Sequence, residues 1–177
     1  MENPAALRHF AGLRPGGEPI WSADERDSVP LFDQPCMAEF SAGWYEFLSK
    51  WLLLYTCGGR SAALFLRTAD LPWGPWSAPV MLFDPARRLD GCAFLNSPPE
   101  VIQVSAGGRP CPVVSDPHTP FNLGEAYGPY LISRFTRGEA GRSSTIYFLM
   151  STWNPYTVVL MRTRLSLERQ SALNRTR

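Results

Sequence analysis

No run in this sequence approaches the roughly 20 consecutive apolar residues that a bilayer-crossing helix requires, so no membrane partner is expected. Charge of one sign is missing too. Seventeen basic residues against sixteen acidic leave a formal charge of +1, which offers nucleic acid no general electrostatic pull. Arg162, Arg164, Arg169, Arg175 and Arg177 make the C-terminal end mildly basic, but without interleaved aromatics they read as a solvated tail. No Gly-rich phosphate loop occurs. Histidine is scarce: only His9 and His118 are present, and no ligand spacing is visible, so neither metal nor cofactor is expected. The four cysteines, Cys36, Cys57, Cys92 and Cys111, allow three pairings. A disulfide between Cys92 and Cys111 would staple the Pro/Gly-rich stretch they flank; buried or free thiols are the alternative. Cys111 with His118 lacks a nucleophile-elbow context, which argues against a cysteine hydrolase. Residues 1–5 have no basic region and no apolar core, so they do not read as a signal peptide. On that reading the chain is intracellular or begins downstream of its natural start.

What is plentiful points to strands. Proline (17), glycine (14), tryptophan (6) and phenylalanine (10) are frequent and long helical periods are rare, which suits short strands joined by turns. With 177 residues, 45% of them apolar, the chain can build one domain with a real core. The first thirty or so residues read as irregular, with Asp24-Glu25-Arg26-Asp27 as a solvated loop or a capped helical turn. Strands are then predicted over residues 43–48, 51–56, 62–68 and 80–83, the second of them apolar on both faces. Prolines keep Leu71-Pro72-Trp73-Gly74-Pro75-Trp76-Ser77 out of regular sheet. Four antiparallel strands in about 45 residues make a unit the size of one propeller blade. Residues 87–125 form a long loop segment, with short strands possible at Val101-Ile102-Gln103-Val104 and Val113-Val114. A second group is predicted over residues 130–135, 145–151 and 157–162. The two groups repeat loosely, each ending a strand in Arg-Thr (Arg67-Thr68, Arg162-Thr163). The fold class is therefore all-β, a partial β-propeller of about two blades: residues 31–86 and 126–168, with 169–177 as a tail. Propellers close with roughly four to eight blades, so two would leave open edges available for self-association.

Several segments resemble a known family. They are Trp51-Leu52-Leu53-Leu54-Tyr55, Arg67-Thr68-Ala69, Trp73-Gly74-Pro75-Trp76-Ser77, and Tyr147-Phe148-Leu149-Met150-Ser151-Thr152-Trp153-Asn154-Pro155-Tyr156 with Val158-Val159-Leu160-Met161-Arg162. Over residues 10–165 the chain is similar to the family catalogued as domain of unknown function 4185, and it resembles the C-terminal half of a typical member. The resemblance implies a five-bladed propeller related to arabinanases, secreted or at the cell surface, acting on an arabinofuranose-rich polysaccharide. It implies carboxylates at the narrow end of the central channel, supplied by inner strands of different blades. Inverting hydrolysis needs one carboxylic acid on the leaving oxygen and one carboxylate activating water, roughly 6.5–9.5 Å apart.

Glu39, in Met37-Ala38-Glu39-Phe40-Ser41, matches a Gly-Glu-Leu-Ser-like segment of that family and is the candidate catalytic acid. The bland alternative is a loop charge or a glutamate bonded to backbone. Trp44, Tyr45, Trp153 and Tyr156 are candidates for stacking on sugar rings, with strand packing as the stronger reading. His118 is a candidate channel-lining residue, with a plain loop histidine favoured over it. Arg67 and Arg162 could pair with channel carboxylates, but their matching places suggest a repeated structural role. A non-catalytic piece that binds glycan or protein, or a truncated product without activity of its own, are the competing readings of the whole chain.

Overall fold

The computed structural model describes residues 3–57, 63–84, 95 and 124–167. His118, Cys92, Cys111 and the two short strands expected between residues 101 and 114 lie outside them. Within the described residues the protein is all-β, three antiparallel sheets with no α-helix, and none of the sheets closes on itself.

The N-terminal residues, expected to be irregular, instead form a hairpin of β1 (His9–Leu13) and β2 (Pro19–Ser22). Gly16 and Gly17 sit in its turn: Gly17 takes φ +86 and its N–H donates to the Arg14 carbonyl at 2.9 Å. Phe10 and Trp21 meet edge to face across the ribbon at 6.0 Å. Beyond it, Asp24 caps a single 3-10 turn, Glu25–Asp27, by accepting from the Arg26 N–H. The Arg26 side chain also bonds this half-exposed carboxylate and holds it below the usual range.

The second sheet has the order β3 (Phe40–Tyr45), β4 (Lys50–Cys57), β5 (Ala63–Ala69) and β6 (Val80–Phe83). β4 pairs on both sides and is buried on both faces, as its unbroken apolar run requires. The predicted strand over 43–48 stops at Tyr45, because Glu46–Leu48 coils into a 3-10 turn that Ser49 ends at φ 49. The third sheet has the order β7 (Glu125–Glu139), β8 (Ser143–Trp153) and β9 (Thr157–Ser166). From Ser144 onward β8 alternates buried and half-buried positions, the period-2 signature of a strand with one core face.

These two sheets share one core. Tyr45, Leu52, Leu54, Leu64 and Leu66 pack with Ala126, Leu131, Ile146, Phe148 and Met150. Each large side chain so buried contributes about 1.5–3 kcal/mol relative to exposure. Two hydrogen bonds lock the sheets together at their margins. The Leu131 N–H donates to Ser41 Oγ at 3.0 Å, and the Gly141 N–H donates to the Phe47 carbonyl at 2.8 Å.

Candidate functional site

Glu39 precedes β3 directly and is exposed. Its main chain is fixed to β4, since the Thr56 N–H donates to the Glu39 carbonyl at 3.2 Å and the Ala38 N–H to the Thr56 carbonyl at 3.0 Å. The Thr56 hydroxyl donates to Glu39 Oε2 at 3.3 Å, which orients the carboxylate, and among the described residues it is that carboxylate's one hydrogen-bond partner. Next to it, Cys57 is joined to Cys36 in a disulfide with a Cα–Cα distance of 5.0 Å. The bridge ties the segment leading into Glu39 to the end of β4. Sequence spacing did not single out this pair.

The aromatic candidates do not gather around Glu39. Trp44 lies about 16 Å along the strand from it, at ~3.3 Å per residue, and on the opposite face. It is half-exposed and meets Trp51 edge to face at 6.1 Å. Tyr45 is buried in the shared core, where it presents no ring face to solvent. Burial pushes its hydroxyl up to about 12. Trp153 and Tyr156 stand together at the β8–β9 corner, with Tyr156 71% exposed. Between them Asn154 is buried at φ 58, and Thr152 Oγ1 donates to the Pro155 carbonyl at 2.8 Å, so the corner is rigidly built.

Arg67 and Arg162 both project from the sheet face opposite the shared core, as the repeat suggested, but their surroundings differ. Arg67 is buried at 9% exposure beneath the segment that precedes β3. Its guanidinium lies 4.7 Å from the Phe32 ring centre and donates to Gln34 Oε1, the Ser77 carbonyl and, at 3.4 Å, the Tyr55 hydroxyl. Neutral oxygens and an aromatic face satisfy this cation without a carboxylate among the described residues. Arg162 is exposed.

Arg162 and Arg164 are not part of a solvated tail. They lie in β9, in register with Tyr147 and Thr145 of β8. Thr145 in turn pairs with Arg137 of β7, which no local sequence pattern singles out. The i, i+2 spacing of Arg162 and Arg164 was the available signal, because alternate strand residues share a face. Among the described residues no three His, Cys, Asp or Glu side chains gather as a metal site requires.

No curated protein matches the chain. The family described as domain of unknown function DUF4185 matches it over residues 1–162, taking in the N-terminal hairpin and both larger sheets up to Arg162, and the chain belongs to that family.

Proposed function

We propose that this chain supplies part of a five-bladed propeller whose complete form hydrolyses an arabinofuranose-rich polysaccharide outside the cell. The observation that carries the reading is Glu39: an exposed carboxylate at the head of β3, held by backbone bonds to β4 and aimed by Thr56. In this reading Glu39 is the acid that protonates the leaving glycosidic oxygen, and a carboxylate from another blade activates water on the opposite face of the sugar. The four-stranded sheet of β3–β6 and the three-stranded sheet of β7–β9 are then two of the blades, the second corresponding to residues 126–168. The two larger sheets of the described residues fall short of the roughly four to eight blades that closure takes, and in this reading the remaining blades come from elsewhere in the complete protein or from self-association along open edges. The Cys36–Cys57 disulfide supports an oxidising compartment, consistent with secretion.

The test is release of reducing ends from arabinan by wild type and Glu39→Gln, run on this chain and on the complete reading frame. Loss of about 10²–10⁴-fold in the variant is expected for a general acid. Equal activity in both proteins removes Glu39 from the mechanism. A second reading, glycan binding without hydrolysis, is favoured by the Trp153–Tyr156 corner, where Tyr156 is exposed beside a half-buried Trp153. Retention on immobilised arabinan with no activity in either protein would select it.

A further inference from the structure

The outer face of β7–β8–β9, turned away from the shared core, carries a pocket of about 340 Å³ lined by Arg137, Thr145, Tyr147, Arg162, Thr163 and Arg164. An adjoining depression of about 290 Å³ at the β7–β8 hairpin shares Arg137, Thr145 and Arg164 with it. The register explains the convergence. Arg137, Thr145 and Arg164 stand on one rung across three strands, and Tyr147 with Arg162 stand on the next rung of the same face. At ~4.8 Å between strands and ~3.3 Å per residue, the three arginine backbones lie within about 12 Å of one another.

Like charges set side by side on a sheet repel, so this arrangement costs stability unless something negative lies between them. Among the described residues no such group is supplied. The ion pairs of the described residues are Arg26–Asp24, Lys50–Asp70 and Arg142–Glu139, and none uses these three arginines. Glu139 lines the hairpin depression, but it pairs with Arg142 at 3.3 Å. Arg164 is already oriented, its Nη2 donating to Ser143 Oγ at 3.0 Å. Gly138 lets β7 press against β8 beside Arg137, since a Cβ there would run into the Ser143 carbonyl.

We infer that this pocket binds a tetrahedral oxyanion, a phosphate or sulfate monoester carried on a small molecule such as a sugar. Three guanidinium groups approaching from two strands and two hydroxyls from a third surround an oxyanion from several directions, a geometry better matched to a tetrahedron than to a planar carboxylate. The volume sits at the low end of the roughly 300–1,000 Å³ typical of small-molecule sites, so the ester's carrier also has room. The site is on the opposite side of the sheet from the shared core and is independent of Glu39.

Isothermal titration of the whole chain with inorganic phosphate, inorganic sulfate and acetate, at constant ionic strength in chloride, tests it. Saturable binding of phosphate or sulfate, at least about tenfold tighter than acetate, is expected. The ion bound more tightly identifies which monoester the site serves. The double variant Arg137→Gln/Arg164→Gln, with unchanged far-UV circular dichroism, should weaken that binding at least about tenfold, whereas Arg142→Gln, a neighbouring arginine already paired, should leave it unchanged. Failure of both tetrahedral ions to saturate wild type, acetate binding equally well, or an equal loss in Arg142→Gln would overturn the assignment.

Discussion

Tyr45 buries its ring in the shared core, yet its hydroxyl has no hydrogen-bond partner among the described residues. An unpaired buried hydroxyl costs about 1–3 kcal/mol, so Tyr45→Phe should stabilise the fold by up to that amount in urea denaturation. The same burial raises the hydroxyl from its ordinary value of 10.0 to about 12. Between those values the unfolded chain loses this proton while the folded protein keeps it. Stability therefore falls as pH rises through that window, and is unaffected by this group below it. The variant should show a shallower decline from pH 10 to 12; parallel declines would mean that the hydroxyl finds a partner. Arg67 illustrates the opposite solution at the same scale. It is buried but fully engaged, by Gln34, Ser77, Tyr55 and the Phe32 ring.

Elements differ in how far local sequence specifies them. β4 and β8 were legible because each carries an unbroken apolar run of strand length, Trp51–Tyr55 in one and Ile146–Met150 in the other. β7 runs over Glu125–Glu139, well beyond the predicted residues 130–135, because its ladder continues past Gly128-Pro129 through a register shift between Tyr127 and Tyr130. Glycine and proline read as punctuation in sequence, but a bulge absorbs them inside a strand. The Cys36–Cys57 bridge acts between elements, closing a loop across a sequence separation of 21. Its removal by Cys36→Ser/Cys57→Ser should cost about 3 kcal/mol on the loop-entropy scale. Peptide mapping of unreduced protein should recover the two cysteines as one linked pair, and free thiols at both positions would refute the bridge. The candidate acid depends on this element-scale framing, since Glu39 lies between the bridge and β3.

Across the whole molecule, one hydrophobic core joins β3–β6 to β7–β9, so the two sheets should unfold together. Phe148 lies at its centre, and Phe148→Ala should destabilise by about 3–5 kcal/mol while tryptophan fluorescence and far-UV circular dichroism still change in a single shared transition. Separate transitions would show that each sheet stands alone. The other faces of the two sheets are treated unequally. The segment carrying Phe32 and Gln34 covers Arg67 on the first, whereas the second leaves Val158, Leu160 and Arg162 exposed.

Periodicity, turn residues and composition by themselves determined that this chain is all-β and where most of its strands lie. Those properties act through each residue's own backbone preference and its affinity for water, so they are local. Tertiary structure alone decided which side chains meet. It joined Cys36 to Cys57, set Thr56 against Glu39, separated Trp44 from that carboxylate and gathered Arg137, Arg162 and Arg164 on one face. Strand register makes those choices, because it pairs residues that are far apart in sequence and a shift of one position would send every side chain to the other face.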